Sequence, residues 1–205
     1  MPDVRYGFYL RPSFAMSRAQ AEIHELLRRQ FNLQVGGKFM PHATIKGFFK
    51  SDCSPETIIA ALDAMLTDRS PFTVYNNGLV PFARGGFGLI IQNLPDGSPN
   101  TELQRFHEDA MDALDPVISP DCERSRDEWT RARFIAHLTL AMADIPEWGF
   151  DDALAFTAQA QPIGPDSFLA DSFDLFAFES QHWDGDWWHD FTWTWLRGWT
   201  LGAAV

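Results

Sequence analysis

The chain has 205 residues, 45% apolar and 21% charged, which allows one substantial core and is ordinary for a globular protein. A net charge of −12 excludes the basic stripe on which tracking of a long polynucleotide depends. The two cysteines, Cys53 and Cys122, exclude a disulfide scaffold, and no apolar run approaches the roughly 18 to 20 residues that span a bilayer.

Val4–Leu10 is β-branched and aromatic and stops at Pro12, the pattern of a strand. The same opening is interrupted by Arg5 and Arg11 and lacks the apolar stretch of a signal peptide, so a cytoplasmic location is expected. Ser17 reads as the N-cap of a helix whose Ile23, Leu26, Leu27 and Phe31 recur at helical spacing. After Gly36-Gly37, residues 38–49 read as a strand leaving Pro41, and Ser54-Pro55 opens a second helix. Residues 72–83 and 87–94 read as strands parted by Arg84-Gly85-Gly86. A helix at 100–114 carries Leu103, Phe106, Ala110 and Leu114 on one side. A polar segment with Arg124, Arg126, Arg131 and Arg133 leads into a strand at 134–142. A helix at 147–160 and strands at 168–179 and 189–201 complete the chain. Strand, helix, His-bearing strand, helix, strand, strand thus occurs twice, as a repeat of pattern rather than of letters. The order predicts one α+β domain over residues 1–205, made of two similar lobes.

Both His-bearing strands contain His-x-Thr followed by an aliphatic residue: His42-Ala43-Thr44-Ile45 and His137-Leu138-Thr139-Leu140. With 6 His and 11 Thr in the chain, composition supplies about 0.3 such triplets by chance, so two at equivalent places carry information. Strand alternation sets His42, Thr44, Lys46 and Phe48 on one face, with Ala43, Ile45 and Phe49 opposite. It likewise sets His137, Thr139 and Ala141 together, opposite Leu138, Leu140 and Met142. Cleaving a phosphodiester takes one proton from the nucleophile and gives one to the leaving oxygen. Imidazole suits both tasks, because its ordinary pKa of about 6.5 makes either form available near neutrality. The threonine hydroxyls can donate to phosphate oxygens as charge builds there, and Lys46 would add positive charge. This chemistry calls for no metal and no cofactor.

PHATIKGFF and FIAHLTLAM, with their histidines 95 residues apart, resemble the paired HxTx motifs of the 2H phosphoesterase superfamily. That family includes bacterial 2′-5′ RNA ligase-like proteins and plant and fungal cyclic nucleotide phosphodiesterases. The resemblance runs through the duplicated order over nearly the whole chain. It implies an α+β fold of two pseudo-symmetric lobes of antiparallel sheet flanked by helices. His42, Thr44, His137 and Thr139 would then line a water-filled cleft between them. It further implies metal-independent hydrolysis of a 2′,3′-cyclic or 2′-5′ phosphodiester of a nucleotide or RNA end, or reversible 2′-5′ ligation. For hydrolysis His137 is read as the base and His42 as the acid, with the reverse left open. Tyr9 lies where cyclic phosphodiesterases carry an aromatic that stacks on the base. The second motif departs from the family in Ala136, where proline is usual, and in Ala141-Met142, where a basic or aromatic residue is common; both bear on the substrate. The expected partner is a small nucleotide or RNA end, with no long nucleic acid, no membrane and a monomeric chain. A module that binds an RNA end in the same cleft without turnover is the alternative.

Other residues have plainer readings. His24 and His107, beside Glu25 and Glu108, read as parts of solvated helix faces. The segment from His182 to Asp190 has the residue types of a metal site but no ligand spacing, and its Asp-Gly favours a turn. The four arginines before His137 alternate with acidic residues as in a solvated loop, with Arg131 or Arg133 reaching a phosphate as the other possibility. Arg11 and Arg133 join Lys46 and Tyr9 as candidate substrate contacts. The tryptophans at 183–199 read as packing rather than as a stacking platform.

Overall fold

The computed structural model describes residues 3–83, 85–122 and 133–202, so the expectations for Arg84, Arg124, Arg126 and Arg131 lie outside the described residues. Strand β1 (Val4–Arg11) is buried on both faces: Tyr6, Phe8 and Leu10 enter the main core and Tyr9 enters a second aromatic cluster. That double burial is why residues 6–10 are apolar without alternation, with the buried Arg5 before them. Helix α1 (Phe14–Phe31) starts a turn earlier than Ser17 suggests. Ser13 Oγ accepts the Met16 amide at 3.4 Å, while Ser17 Oγ donates to the Pro12 carbonyl at 3.0 Å. After the short helix α2 (Val35–Lys38) come β2 (Ala43–Phe49) and α3 (Pro55–Leu66), the latter opening at Ser54-Pro55 as predicted.

Two expected strands are each broken in two. Residues 72–83 form β3 (Phe72–Tyr75) and β4 (Leu79–Pro81), parted at Asn76-Asn77-Gly78, where Gly78 takes φ +93°. Strand β5 (Gly86–Ile90), helix α4 (Thr101–Leu114), strand β6 (His137–Met142) and helix α5 (Phe150–Gln159) follow. Residues 168–179 then divide at Asp171 into β7 (Ser167–Ala170) and β8 (Ser172–Glu179), before β9 (Thr192–Thr200). The reason for both breaks is sheet membership. β3 and β7 pair only with each other, while β4 and β8 pass into larger sheets.

Those larger sheets are ordered β2-β1-β8-β9 and β4-β5-β6, and every pairing among the described strands is antiparallel. The architecture is therefore α+β with several antiparallel sheets, as expected. β8, from late in the chain, lies beside β1, and β4, from the first half, lies beside β5. Each large sheet thus draws strands from both halves of the sequence, and the halves interlock rather than sit side by side.

Aromatic side chains fill the space between layers. Phe8, Phe106 and Phe173 stack at centroid separations of 4.3 to 6.3 Å in the main core. Such pairs add about 0.5–1.5 kcal/mol each beyond their area burial. The second cluster covers the other face of the four-stranded sheet, where Trp183 and Trp187 pack on Phe48 at 5.0 and 5.2 Å. These two indoles pin the segment 180–191, so the turn expected around Asp184-Gly185 is held by tryptophan. Trp193 and Trp195 on β9 behave differently and are 41% and 56% exposed.

Candidate active site

The two HxT strands are both edge strands: β2 closes one end of the four-stranded sheet, β6 closes one end of the three-stranded sheet, and they pack against each other. His42 immediately precedes β2, and His137 is the first residue of β6. His42 Nδ1 lies 2.7 Å from the Met40 carbonyl, and His137 Nδ1 lies 2.7 Å from the Ile135 carbonyl. A carbonyl only accepts, so Nδ1 is the donor in both rings, and in the neutral form Nε2 carries the lone pair. The same backbone device therefore fixes the same tautomer twice.

Burial dominates the electrostatics. It pushes His42 down to about 4, against the Met40 carbonyl, which favours the charged form, and with the help of charge on His137. Burial also lowers His137, partly offset by the Ile135 carbonyl. Both shifts favour the neutral form of each ring.

Each ring leans on an aromatic that lies over a glycine. Tyr9 meets His42 edge-on at 4.7 Å, and its hydroxyl occupies the space a Cβ on Gly7 would need. Phe82 meets His137 at 4.7 Å, and its ring lies 2.8 Å from where a Cβ on Gly88 would stand. Phe82 had no signal in the sequence, since nothing in its spacing ties it to His137.

Strand alternation fails just beyond each motif. Thr44 pairs with Tyr9 and Lys46 with Phe8, so Ile45 is an extra residue in β2. Thr139 pairs with Gly88 and Ala141 with Phe87, so Leu140 is an extra residue in β6. A bulge of this kind re-aims the side chains that follow it. Lys46 consequently sits opposite Phe8, a main-core residue, and is 3% exposed. It does not share the Thr44 face as alternation predicted. Ala141 joins the core, while Met142 packs against the second cluster. Tyr9 also departs from expectation. It is 3% exposed, wedged among His42, Phe176 and Phe178, and so steadies His42 rather than offering a face to a base.

His24 and His107, expected at solvated faces, are 8% and 0% exposed and hold the two edge strands. His24 Nε2 and Gln20 Nε2 lie 3.0 and 2.9 Å from the Thr139 carbonyl. His107 Nδ1 lies 2.8 Å from the Ile45 carbonyl, and its ring stacks on Phe134 at 3.9 Å. Helix α1 of the first half thus satisfies β6, and α4 of the second half satisfies β2. Edge strands and bulges leave carbonyls without ladder partners, and these side chains supply the donors. The signal was available: Gln20, Ile23, His24 and Leu27, and Leu103, Phe106, His107, Ala110 and Met111, fall on single buried helical stripes. Losing such a donor leaves a buried acceptor unsatisfied, at about 1–3 kcal/mol. We therefore expect His107→Leu to lower the urea midpoint more than His24→Leu, because the Thr139 carbonyl keeps Gln20. The reverse order would contradict this assignment.

The remaining candidates are dispersed. The Thr44 and Thr139 side chains are half-buried, and neither hydroxyl has a hydrogen-bond partner among the described residues. Arg11 is exposed and paired through Nε with Asp174 at 3.2 Å. Arg133 is exposed, four residues before His137. His182 and His189 pair singly with Asp190 at 3.5 Å and Asp186 at 3.9 Å. Among the described residues no cluster of three or more His, Cys, Asp or Glu side chains is arranged to hold a metal ion. No described helix is long and apolar enough to cross a membrane.

The model of the 2′-5′ RNA ligase superfamily matches residues 15–180. Escherichia coli LigT complexed with phosphate is similar in structure, at TM-score 0.52 and 17% identity, covering 98% of this chain and 99% of LigT. TT0787 of Thermus thermophilus aligns at TM-score 0.62 and 14% identity, covering 97% of this chain and 98% of that one. Likenesses at this identity reflect a shared fold. No curated protein matches the chain in sequence.

Proposed function

Because the chain belongs to the 2′-5′ RNA ligase superfamily of 2H phosphoesterases, we propose that it hydrolyses a 2′,3′-cyclic or 2′-5′ phosphodiester of a nucleotide or RNA end, with His42 and His137 as acid and base. One observation carries the reading. Two imidazoles on facing edge strands have Nδ1 tied to a carbonyl two residues back, which dedicates Nε2 of each to proton transfer. In hydrolysis the Nε2 lone pair of one ring takes a proton from water as its oxygen bonds to phosphorus. The bond from phosphorus to the ribose oxygen breaks, and that oxygen takes the proton on Nε2 of the other ring. Thr44 and Thr139, one on each strand, donate to the non-bridging oxygens. The same pair can run 2′-5′ ligation: one ring takes the proton from a 5′-hydroxyl as its oxygen bonds to the phosphorus of a 2′,3′-cyclic phosphate, the bond from phosphorus to the 3′-oxygen breaks, and that oxygen takes the proton of the other ring. We assign His137 as base and His42 as acid for hydrolysis. That E. coli LigT has been seen with phosphate and with 3′-AMP supports a small nucleotide as substrate.

Burial favours the neutral form of both rings in the free protein, so the acid acquires its proton when the phosphate anion arrives and favours imidazolium. The kcat/KM profile reports the free enzyme. With both groups pushed below their ordinary 6.5, kcat/KM should peak below pH 6.5 and fall as the pH rises. The kcat profile, set in the complex, should extend to higher pH. Stability follows the same shift. The unfolded chain protonates His42 below 6.5 while the folded chain resists to about 4, so stability is full above 6.5 and declines as the pH falls through that window. The test is turnover of 2′,3′-cyclic, ADP-ribose cyclic and 2′-5′ dinucleotide substrates with EDTA present, followed across pH. No turnover of any substrate, activity that EDTA abolishes, or a kcat/KM optimum above pH 7 would each refute the reading.

A further inference from the structure

The aromatic that was to stack on the substrate base, Tyr9, is buried, yet the same face of the four-stranded sheet carries exposed aromatics further from the histidines. From His42 the contacts run through Tyr9 at 4.7 Å, to Phe176 at 6.1 Å, to Trp193 at 5.3 Å. Register agrees with this path, because Tyr9 faces Asp174 on β8, and Phe176 and Phe178 face Trp195 and Trp193 on β9. Trp195 is laid flat. Its ring lies 3.1 Å from where a Cβ on Gly198 would stand, and its Nε1 donates to Asp174 Oδ1 at 2.9 Å. Trp193 is tied in turn, its Nε1 donating to the Lys38 carbonyl at 2.9 Å. Each indole thus has its one donor satisfied within the protein and its orientation fixed, while 41% of Trp193 and 56% of Trp195 stay open to solvent. Asp174, 5% exposed, also holds Arg11 through Oδ2 at 3.2 Å, which sets a guanidinium beside the Trp195 ring edge.

We infer that Trp195, two residues from Trp193 on the same strand and flanked by Arg11, is a stacking platform for a nucleobase one or more nucleotides away from the phosphodiester at His42 and His137. This rests on the function proposed above and names its substrate class: an oligonucleotide end rather than a mononucleotide. Three strand spacings separate β2 from β9, about 14 Å, which lies beyond the base belonging to the reacting nucleotide. A fixed indole face accepts any base, because stacking reads a π-surface rather than a hydrogen-bond pattern. Arg11 can meet the intervening phosphate. The overall charge of −12 restricts the contact to a short segment, since it opposes a long polyanion.

The experiment measures binding of two probes, adenosine 3′-monophosphate and a three-nucleotide RNA with a 3′-phosphate, by calorimetry on the full chain. Turnover of a 2′,3′-cyclic mononucleotide is followed separately. The unaltered protein is expected to bind the trinucleotide about tenfold tighter than the mononucleotide, in keeping with the stacking of one base. Trp195→Ala should weaken the trinucleotide about tenfold more than the mononucleotide, and Trp195→Phe should restore most of the difference. Equal affinity for both probes in the unaltered protein overturns the platform. So does an equal loss for both in Trp195→Ala, or sedimentation showing a dimer that Trp195→Ala dissociates. Absence of turnover with the trinucleotide preference intact would sink the proposed hydrolysis and leave the platform standing. Turnover without the preference would do the opposite.

Discussion

His42→Ala and His137→Ala should each lower kcat on a 2′,3′-cyclic nucleotide by about 10²–10⁴-fold, the usual worth of a positioned proton donor or acceptor. In the proposed mechanism the two act on one phosphorus centre, so the double variant should fall little below the worse single variant, because groups that work as a unit are not additive. The loss should not be one of folding. Each ring makes one hydrogen bond, to a carbonyl two residues away, and packs on aromatics at the end of an edge strand, Tyr9 and Phe39 for His42 and Phe82 for His137, outside the main core. Thermal midpoints near that of the unaltered protein at pH 7.5 are therefore expected. His42→Ala should also be less sensitive to acid, because it removes the group that the folded chain refuses to protonate between 6.5 and about 4. Either variant retaining full kcat would remove the acid–base pair from consideration.

The second large effect belongs to the threonines. Thr44→Val and Thr139→Val keep the shape and the β-branched character of the side chain and delete only the hydroxyl. Neither hydroxyl bonds to another described residue, so removing it orphans nothing in the free protein. If the hydroxyls meet the phosphorane-like charge of the transition state, each loss should cost about 10²–10³-fold in kcat. A rise in KM with kcat unchanged would instead mean uniform binding of substrate and transition state. A fall in Tm would mean that the threonines serve the fold. Calorimetry and steady-state kinetics on the same preparations separate the three outcomes.

Much of this was readable along the chain because it is local. A strand ends at Pro12, a helix opens at Ser54-Pro55, and the two HxT triplets recur at matching places in a repeated order. The class, α+β, follows from that order. The separation of β3 from β4 and of β7 from β8 was not readable, because each pair looks like one apolar run until its partners are known. Nor could alternation foresee that Ile45 and Leu140 are extra residues, since a bulge is a relation between two strands. Lys46 was misplaced for that reason alone. His24 and His107 had visible evidence in their helical stripes, but a histidine beside a glutamate reads as surface until the carbonyl it must satisfy comes into view.

The amino-acid sequence by itself singled out the residues proposed to bear the chemistry, because histidine and threonine two apart on a strand need only local backbone geometry to share a face. Tertiary structure alone decided which neighbours those residues have. It buried Tyr9 and Lys46, left Trp195 open, and tied each HxT strand to a helix from the other half of the chain. Burial, cross-strand register and hydrogen bonds between residues 115 or more positions apart depend on how all the layers close around one another, and no window of the sequence contains that information.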